Sequence, residues 1–123
     1  MEVLNMEGSE DTPTVILDKD QGQFELAGRS FPEFPIEYYA LIIDWMEEYS
    51  KDPNPKTEFT IDLEYFNSAS AKQIYKLLAV LENLSKKSDV LLLWKYAKED
   101  TDMLSSGERY AKLVNVQFEF VAY

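Results

Sequence analysis

The chain reads as an α/β protein: a single-domain mixed β-sheet, element order ββαβαβαβ, packed with about three helices. Three observations predict this. Several short segments alternate apolar with polar residues or are β-branched throughout, as strands do. Longer segments carry apolar residues three or four apart, as amphipathic helices do. After an opening pair of strands the two kinds alternate, and strand–helix–strand units favour right-handed crossovers and parallel pairing. At 123 residues the chain can bury one core without disulfides or metal.

In chain order, residues 1 to 12 read as a flexible acidic lead-in, and the domain is expected from 13 to 123. Thr14-Val15-Ile16-Leu17-Asp18 is strand-like. The polar turn to Gly22 and the alternating Gln23 to Gly28 complete a hairpin. A Pro-bearing loop, Arg29 to Pro35, leads into Ile36 to Tyr49, where residues 38, 39, 42, 45, 46 and 49 make a helical stripe. Pro53 and Pro55 lie beyond its end, since prolines cannot continue a helix. Thr57 to Phe66 alternates, with Phe59, Ile61, Leu63 and Tyr65 on one face. The next helix carries Ala71, Ile74, Leu77, Leu78, Leu81 and Leu84. Asp89 to Tyr96 is the most apolar strand, which predicts a central place buried on both faces. Glu99 to Leu113 is a weaker helix, interrupted by Ser105-Ser106-Gly107, and Val116 to Val121 closes the chain as a strand.

Composition removes several chemistries. The chain has no Cys and no His. That excludes disulfides, a thiol nucleophile, a usual zinc site and an internal Ser-His-Asp relay. With 23 acidic against 12 basic residues the net charge is −11. Such a surface repels nucleic acid and anionic membranes. The acidic start lacks the basic, apolar pattern of a secretory signal. No stretch nears the roughly 20 apolar residues that span a bilayer. The expectation is a cytoplasmic protein.

The most informative stretch is the strand-to-helix junction Asn67-Ser68-Ala69-Ser70. Ser70 followed by Gln73 fits a capping box, with Ser68 or Asn67 as alternative caps. The same junction also suits a surface hydroxyl open to modification. A phosphate there adds roughly −1.5 to −2 charges, and a helix N-terminus tolerates an anion. Local sequence leaves both readings open.

The stretch Ile61-Asp62-Leu63-Glu64-Tyr65-Phe66-Asn67-Ser68-Ala69-Ser70-Ala71-Lys72 resembles the signature of the SiaC-type regulatory phosphoproteins. These are small bacterial domains similar in architecture to STAS-domain anti-sigma-factor antagonists, so the resemblance implies a STAS-like fold. Gly28-Arg29-Ser30-Phe31-Pro32-Glu33, followed by a helix holding Trp45, is a second match. The resemblance spans nearly all of the chain after residue 12. It implies a non-enzymatic partner-switching protein, without cofactor, whose phosphoacceptor is the hydroxyl residue after the Asn, here Ser68. A dedicated protein kinase modifies it and a PP2C-type phosphatase reverses this. The unmodified form engages a downstream effector, a diguanylate cyclase in characterised systems, which links the family to cyclic-di-GMP signalling and biofilm control. Asn67 and Ser70 would shape the turn; Tyr65, Phe66, Ala69 and Lys72 are the expected partner-binding residues. The chain departs from the usual pattern with Ser at the acceptor, where Thr is frequent, and Ala69 where Ser is frequent. Phe34-Pro35 follows Pro32-Glu33, where Asn is common.

Each candidate also has a structural reading. Tyr65 is expected as a core aromatic, Lys72 on a solvated helix face, and Phe66, which breaks the alternation, at the surface. Two other functions compete with the switch. In a constitutive interaction or dimerisation module, Tyr38, Tyr39 and Tyr49 would line the interface, unless they pack their helix onto the sheet. In a small carboxylate enzyme, Asp18, Asp20, Asp62 and Glu64 would act, although acids on alternating strands are ordinarily solvent-facing.

Overall fold

A computed structural model describes residues 1–123. Its sheet holds β1 (Leu4–Met6), β2 (Thr14–Asp18), β3 (Gln23–Ser30), β4 (Lys56–Phe66), β5 (Asp89–Tyr96) and β6 (Gln117–Ala122). The helices are α1 (Pro35–Tyr49), α2 (Ser68–Leu84) and α3 (Thr101–Leu113). Strands neighbour one another in sequence order, β1-β2-β3-β4-β5-β6. The pairs β1–β2 and β2–β3 are antiparallel. The pairs β3–β4, β4–β5 and β5–β6 are parallel, each joined through one helix. The β2–β3 hairpin turns at Gly22, whose φ of 65° suits glycine, while Asp18 Oδ1 accepts from the Gln21 N–H.

Register explains the core. Val15, Leu26, Ile61 and Trp94 stand in one row across four strands, and Leu17, Phe24, Phe59 and Leu92 in the next. All are buried, and they join Tyr39, Ile42, Met46 and Tyr49 of α1 and the leucine stripe of α2 in one cluster of 22 residues. The intervening row, Ile16, Glu25, Thr60 and Leu93, is only partly buried, so the sheet is covered chiefly on one face.

Four local expectations change. Residues 1–12 are not simply a lead-in: Leu4 and Met6 pair with Leu17 and Val15, and Trp45 Nε1 donates to the Glu2 carbonyl at 2.8 Å. A three-residue strand shows too little alternation to be read in sequence. The apolar β5 lies fifth of six strands rather than at the centre, and buries Val90, Leu92 and Trp94 on one face. Helix α3 runs without a break through Ser105-Ser106-Gly107. Gly107 is there because a Cβ would lie 2.5 Å from Trp94 Nε1; the missing side chain lets α3 rest on the indole.

The fourth change is in β4. Gly28 pairs with Leu63, but Arg29 pairs with Tyr65, leaving Glu64 as an extra residue. Such a bulge reverses the in–out phase of the residues after it. Tyr65 therefore turns to solvent, 45% exposed, and Phe66 turns inward, its ring centroid 6.4 Å from those of both Trp94 and Tyr110. This reverses the sequence expectation for both rings.

Candidate functional site

The junction forms where β4 ends and α2 begins. The N-cap is Asn67, not Ser70: its side-chain oxygen accepts from the Ser70 N–H at 2.9 Å, and its carbonyl accepts from the Ala71 N–H at 2.9 Å. An Asn in extended conformation is well suited to this, satisfying an amide of the first turn that has no partner within the helix. The Asn67 N–H donates to the Ser30 carbonyl at 3.1 Å, tying the turn to the end of β3.

The two serines have opposite surroundings. Ser68, the first residue of α2, is exposed, as is Ala69 beside it. Ser70 is sealed: its hydroxyl accepts from Ser30 Oγ at 2.9 Å, and Ser30 Oγ lies 2.6 Å from the Tyr39 hydroxyl. Because Ser30 spends its proton on Ser70, Tyr39 donates to Ser30. This buried chain joins β3, α1 and α2 below the turn, and no buried side-chain polar atom is left without a partner. Burial pushes the Tyr39 hydroxyl up to about 12, with the Ser30 and Ser70 hydroxyls pulling the other way. The Tyr110 hydroxyl donates to the Ala71 carbonyl at 2.7 Å, fastening α3 to the same first turn, and burial raises its pKa also.

Ser68 opens onto a hollow of about 480 Å³ between the turn and α3. Glu64, Asp100, Asp102 and Arg109 bring charge to that hollow, and Phe66, Asn67 and Ala71 line it. On its far side Arg29 lies 5.4 Å and 5.6 Å from the ring centroids of Phe31 and Tyr65, with Glu64 3.9 Å away. Lys72, exposed, stands one turn along α2 from Ser68.

The structure therefore brings Ser68, Asn67, Ala69, Tyr65, Phe66 and Lys72 to one end of the domain and places Ser70 beneath them. Sequence reasoning missed Tyr39 and Arg109 as neighbours, and Ser30 as the partner of Ser70. Ser30 stands inside the Gly28–Glu33 match, but nothing in that stretch announces a hydrogen bond to a residue on α2.

The competing sets do not assemble. Tyr39 and Tyr49 are buried, and the Tyr38 hydroxyl donates to the Pro13 carbonyl, so these rings pack α1 rather than line an interface. Asp62 accepts from the Tyr123 hydroxyl at 2.8 Å, Glu64 faces Arg29, and Asp18 caps its own turn. No helix is long and apolar enough to cross a membrane.

Comparison with known proteins gives consistent results. Residues 6–123 match the family described as SiaC family regulatory phosphoprotein. An uncharacterized protein of Pseudomonas aeruginosa strain UCBPP-PA14 is 27% identical over 124 residues, covering 100% of this chain and 98% of its own. The crystal structure of apo-SiaC from Pseudomonas aeruginosa superposes with a TM-score of 0.91 at 27% identity, over 99% of this chain and 100% of that one. A chain in the crystal structure of the diguanylate cyclase SiaD in complex with its activator SiaC, from the same organism, gives 0.91 at 26% identity, over 98% and 99%.

Proposed function

Since the chain belongs to the SiaC family of regulatory phosphoproteins, we propose that it is a non-enzymatic, cytoplasmic partner-switching protein controlled at Ser68. A cognate kinase phosphorylates Ser68, a PP2C-type phosphatase removes the group, and the unmodified form binds a downstream effector. The effector class that the relatives suggest is a diguanylate cyclase, as in the complex of SiaD with SiaC.

One observation carries the reading. Ser68 is the hydroxyl at the head of α2 that a kinase can reach, while Ser70, two residues on, is buried in a hydrogen-bonded chain. A phosphate on Ser68 lies at a helix N-terminus, whose free amides and dipole favour an anion. The capped turn beneath it does not depend on the Ser68 hydroxyl, so the fold survives modification. The surface changes instead. Glu64, Asp100 and Asp102 already border the hollow, and a further charge of roughly −2 makes it strongly hydrated and anionic. A protein seated on Asn67, Ser68, Ala69 and Tyr65 would have to strip that hydration.

The test is intact mass after incubation with the cognate kinase, then with the phosphatase. One phosphate gained at Ser68, lost on the second step and absent in Ser68→Ala supports the reading. In parallel, Ser68→Glu is expected to weaken effector binding while Ser68→Ala preserves it. Wild-type binding by both variants refutes it.

A further inference from the structure

Helices α1 and α2 pack closely, whereas α2 and α3 touch only sparsely, and a groove of about 530 Å³ opens between them. Its floor is apolar: Phe66, Ala71, Tyr75, Tyr110 and Leu113. Tyr75 is 43% exposed and Leu113 62%, a large apolar pair left facing water. Its rim is cationic, with Lys72 and Lys76 on α2 and Arg109 on α3. None of the three takes part in a salt bridge, and no acidic residue lines the groove. In a chain of net charge −11, this is a local reversal of sign around an apolar trough.

We propose that this groove docks an amphipathic helix of the effector, apolar on the face it buries and acidic along its flanks. The inference rests on the partner-switching reading for the partner's identity, and adds where and by what chemistry it binds. Apolar anchors at helical spacing would fill the trough between Tyr75 and Leu113, the usual mode of helix-in-groove recognition. Flanking carboxylates would meet Lys72, Lys76 and Arg109, which sets orientation and speeds encounter. Phe66, Ala71, Ser106 and Arg109 line both this groove and the hollow that holds Ser68. An acidic helix lying here therefore reaches the acceptor, where a phosphate repels it.

The test uses the full isotope-labelled chain and three synthetic helical peptides of equal length. One has an apolar stripe and acidic flanks, one the same stripe with basic flanks, and one is an acidic scramble. The acidic amphipathic peptide is expected to shift the amides of Lys72, Tyr75, Lys76, Arg109 and Leu113. Its affinity should fall about tenfold in Lys72→Glu/Lys76→Glu and should decline with added salt. The proposal is overturned if that peptide does not bind saturably, if the basic-flanked peptide binds as well, or if the double variant, with a native amide spectrum, binds like wild type. Sedimentation covers a second copy as occupant: a dimer dissolved both by Leu113→Asp and by Leu41→Asp, on the exposed acidic side of α1, also overturns it. Ser68→Glu separates the two readings. If it binds the acidic peptide like wild type while the groove variant does not, the groove stands and the switch falls. If effector binding obeys Ser68 but ignores Lys72 and Lys76, the switch stands and the groove falls.

Discussion

Ser30 Oγ donates to Ser70 Oγ at 2.9 Å, and neither residue is exposed to solvent. The bond fastens the first turn of α2 to the last residue of β3. Removing one hydroxyl leaves the other buried without its partner, so Ser70→Ala and Ser30→Ala should each cost about 1–3 kcal/mol by urea unfolding. Ser68→Ala should stay within about 0.5 kcal/mol of wild type, as exposed sites do. The sharper comparison is between acids: Ser68→Asp should fold normally, and Ser70→Asp should lose cooperative unfolding, because a buried charge there has no cation to meet. Equal stability of the two would contradict the assignment of Ser68 as the reachable hydroxyl.

Asn67→Ala removes the side-chain cap of α2. The expected loss is about 0.5–2 kcal/mol, with Asn67→Asp or Asn67→Ser recovering most of it. Chemical denaturation of the three variants checks this. If alanine is neutral, the Asn67 side chain is kept for its surface contacts and not for the turn.

Gly107→Ala sets two effects against each other. Alanine in a helix gains about 1 kcal/mol over glycine. Here its Cβ would come within 2.6 Å of the Trp94 ring, deep in the core, where overpacking costs about 1–3 kcal/mol. The clash should win. The indole of Trp94 donates to the Met103 carbonyl at 2.9 Å, so tryptophan fluorescence should shift along with the fall in melting temperature. A more stable Gly107→Ala would show that α3 is free to lift off the sheet.

Tyrosine ionisation should limit stability in alkali. Burial raises the Tyr38, Tyr39 and Tyr110 hydroxyls, Tyr39 to about 12, and hydrogen bonding to Asp62 raises Tyr123. A pKa higher in the fold than in the open chain means that the folded form binds more protons. That stability is complete below the unfolded value, about 10, and is lost as pH climbs through the folded one. While titrating, Tyr39 alone contributes a fall of about 1.4 kcal/mol per pH unit. Denaturation midpoints measured upward from about pH 9 should drop, with phenolate absorbance appearing together with unfolding. Midpoints that hold level to about pH 12 would be incompatible with these buried phenols.

Much of this was legible in the sequence, for definite reasons. Alternation located β3, β4 and β6 and the leucine stripe located α2, because burial on one face imposes a period, while apolar runs marked β2 and β5. Asn67-Ser68 stood out because small polar residues between bulky ones mark a junction. What could not be read depends on distant partners. Ser70 looks like any cap until Ser30 and Tyr39 are set beneath it. Gly107 looks like a helix breaker until Trp94 is seen against it. Arg109 and Leu113 sit on a helix whose pattern was weak, since one side of α3 leans on the sheet while the other borders an open groove.

The extra residue at Glu64 has a consequence for how the chain can vary. Tyr65 and Phe66 keep their places only while the count between Leu63 and Asn67 is held. Shortening β4 by one would rotate the rings past each other, bring a phenol against Trp94, and swing Ser68 away from its hollow. Insertions and deletions should thus be tolerated in the exposed turn at 20–22 and disruptive between 63 and 67, where the molecule measures length strictly.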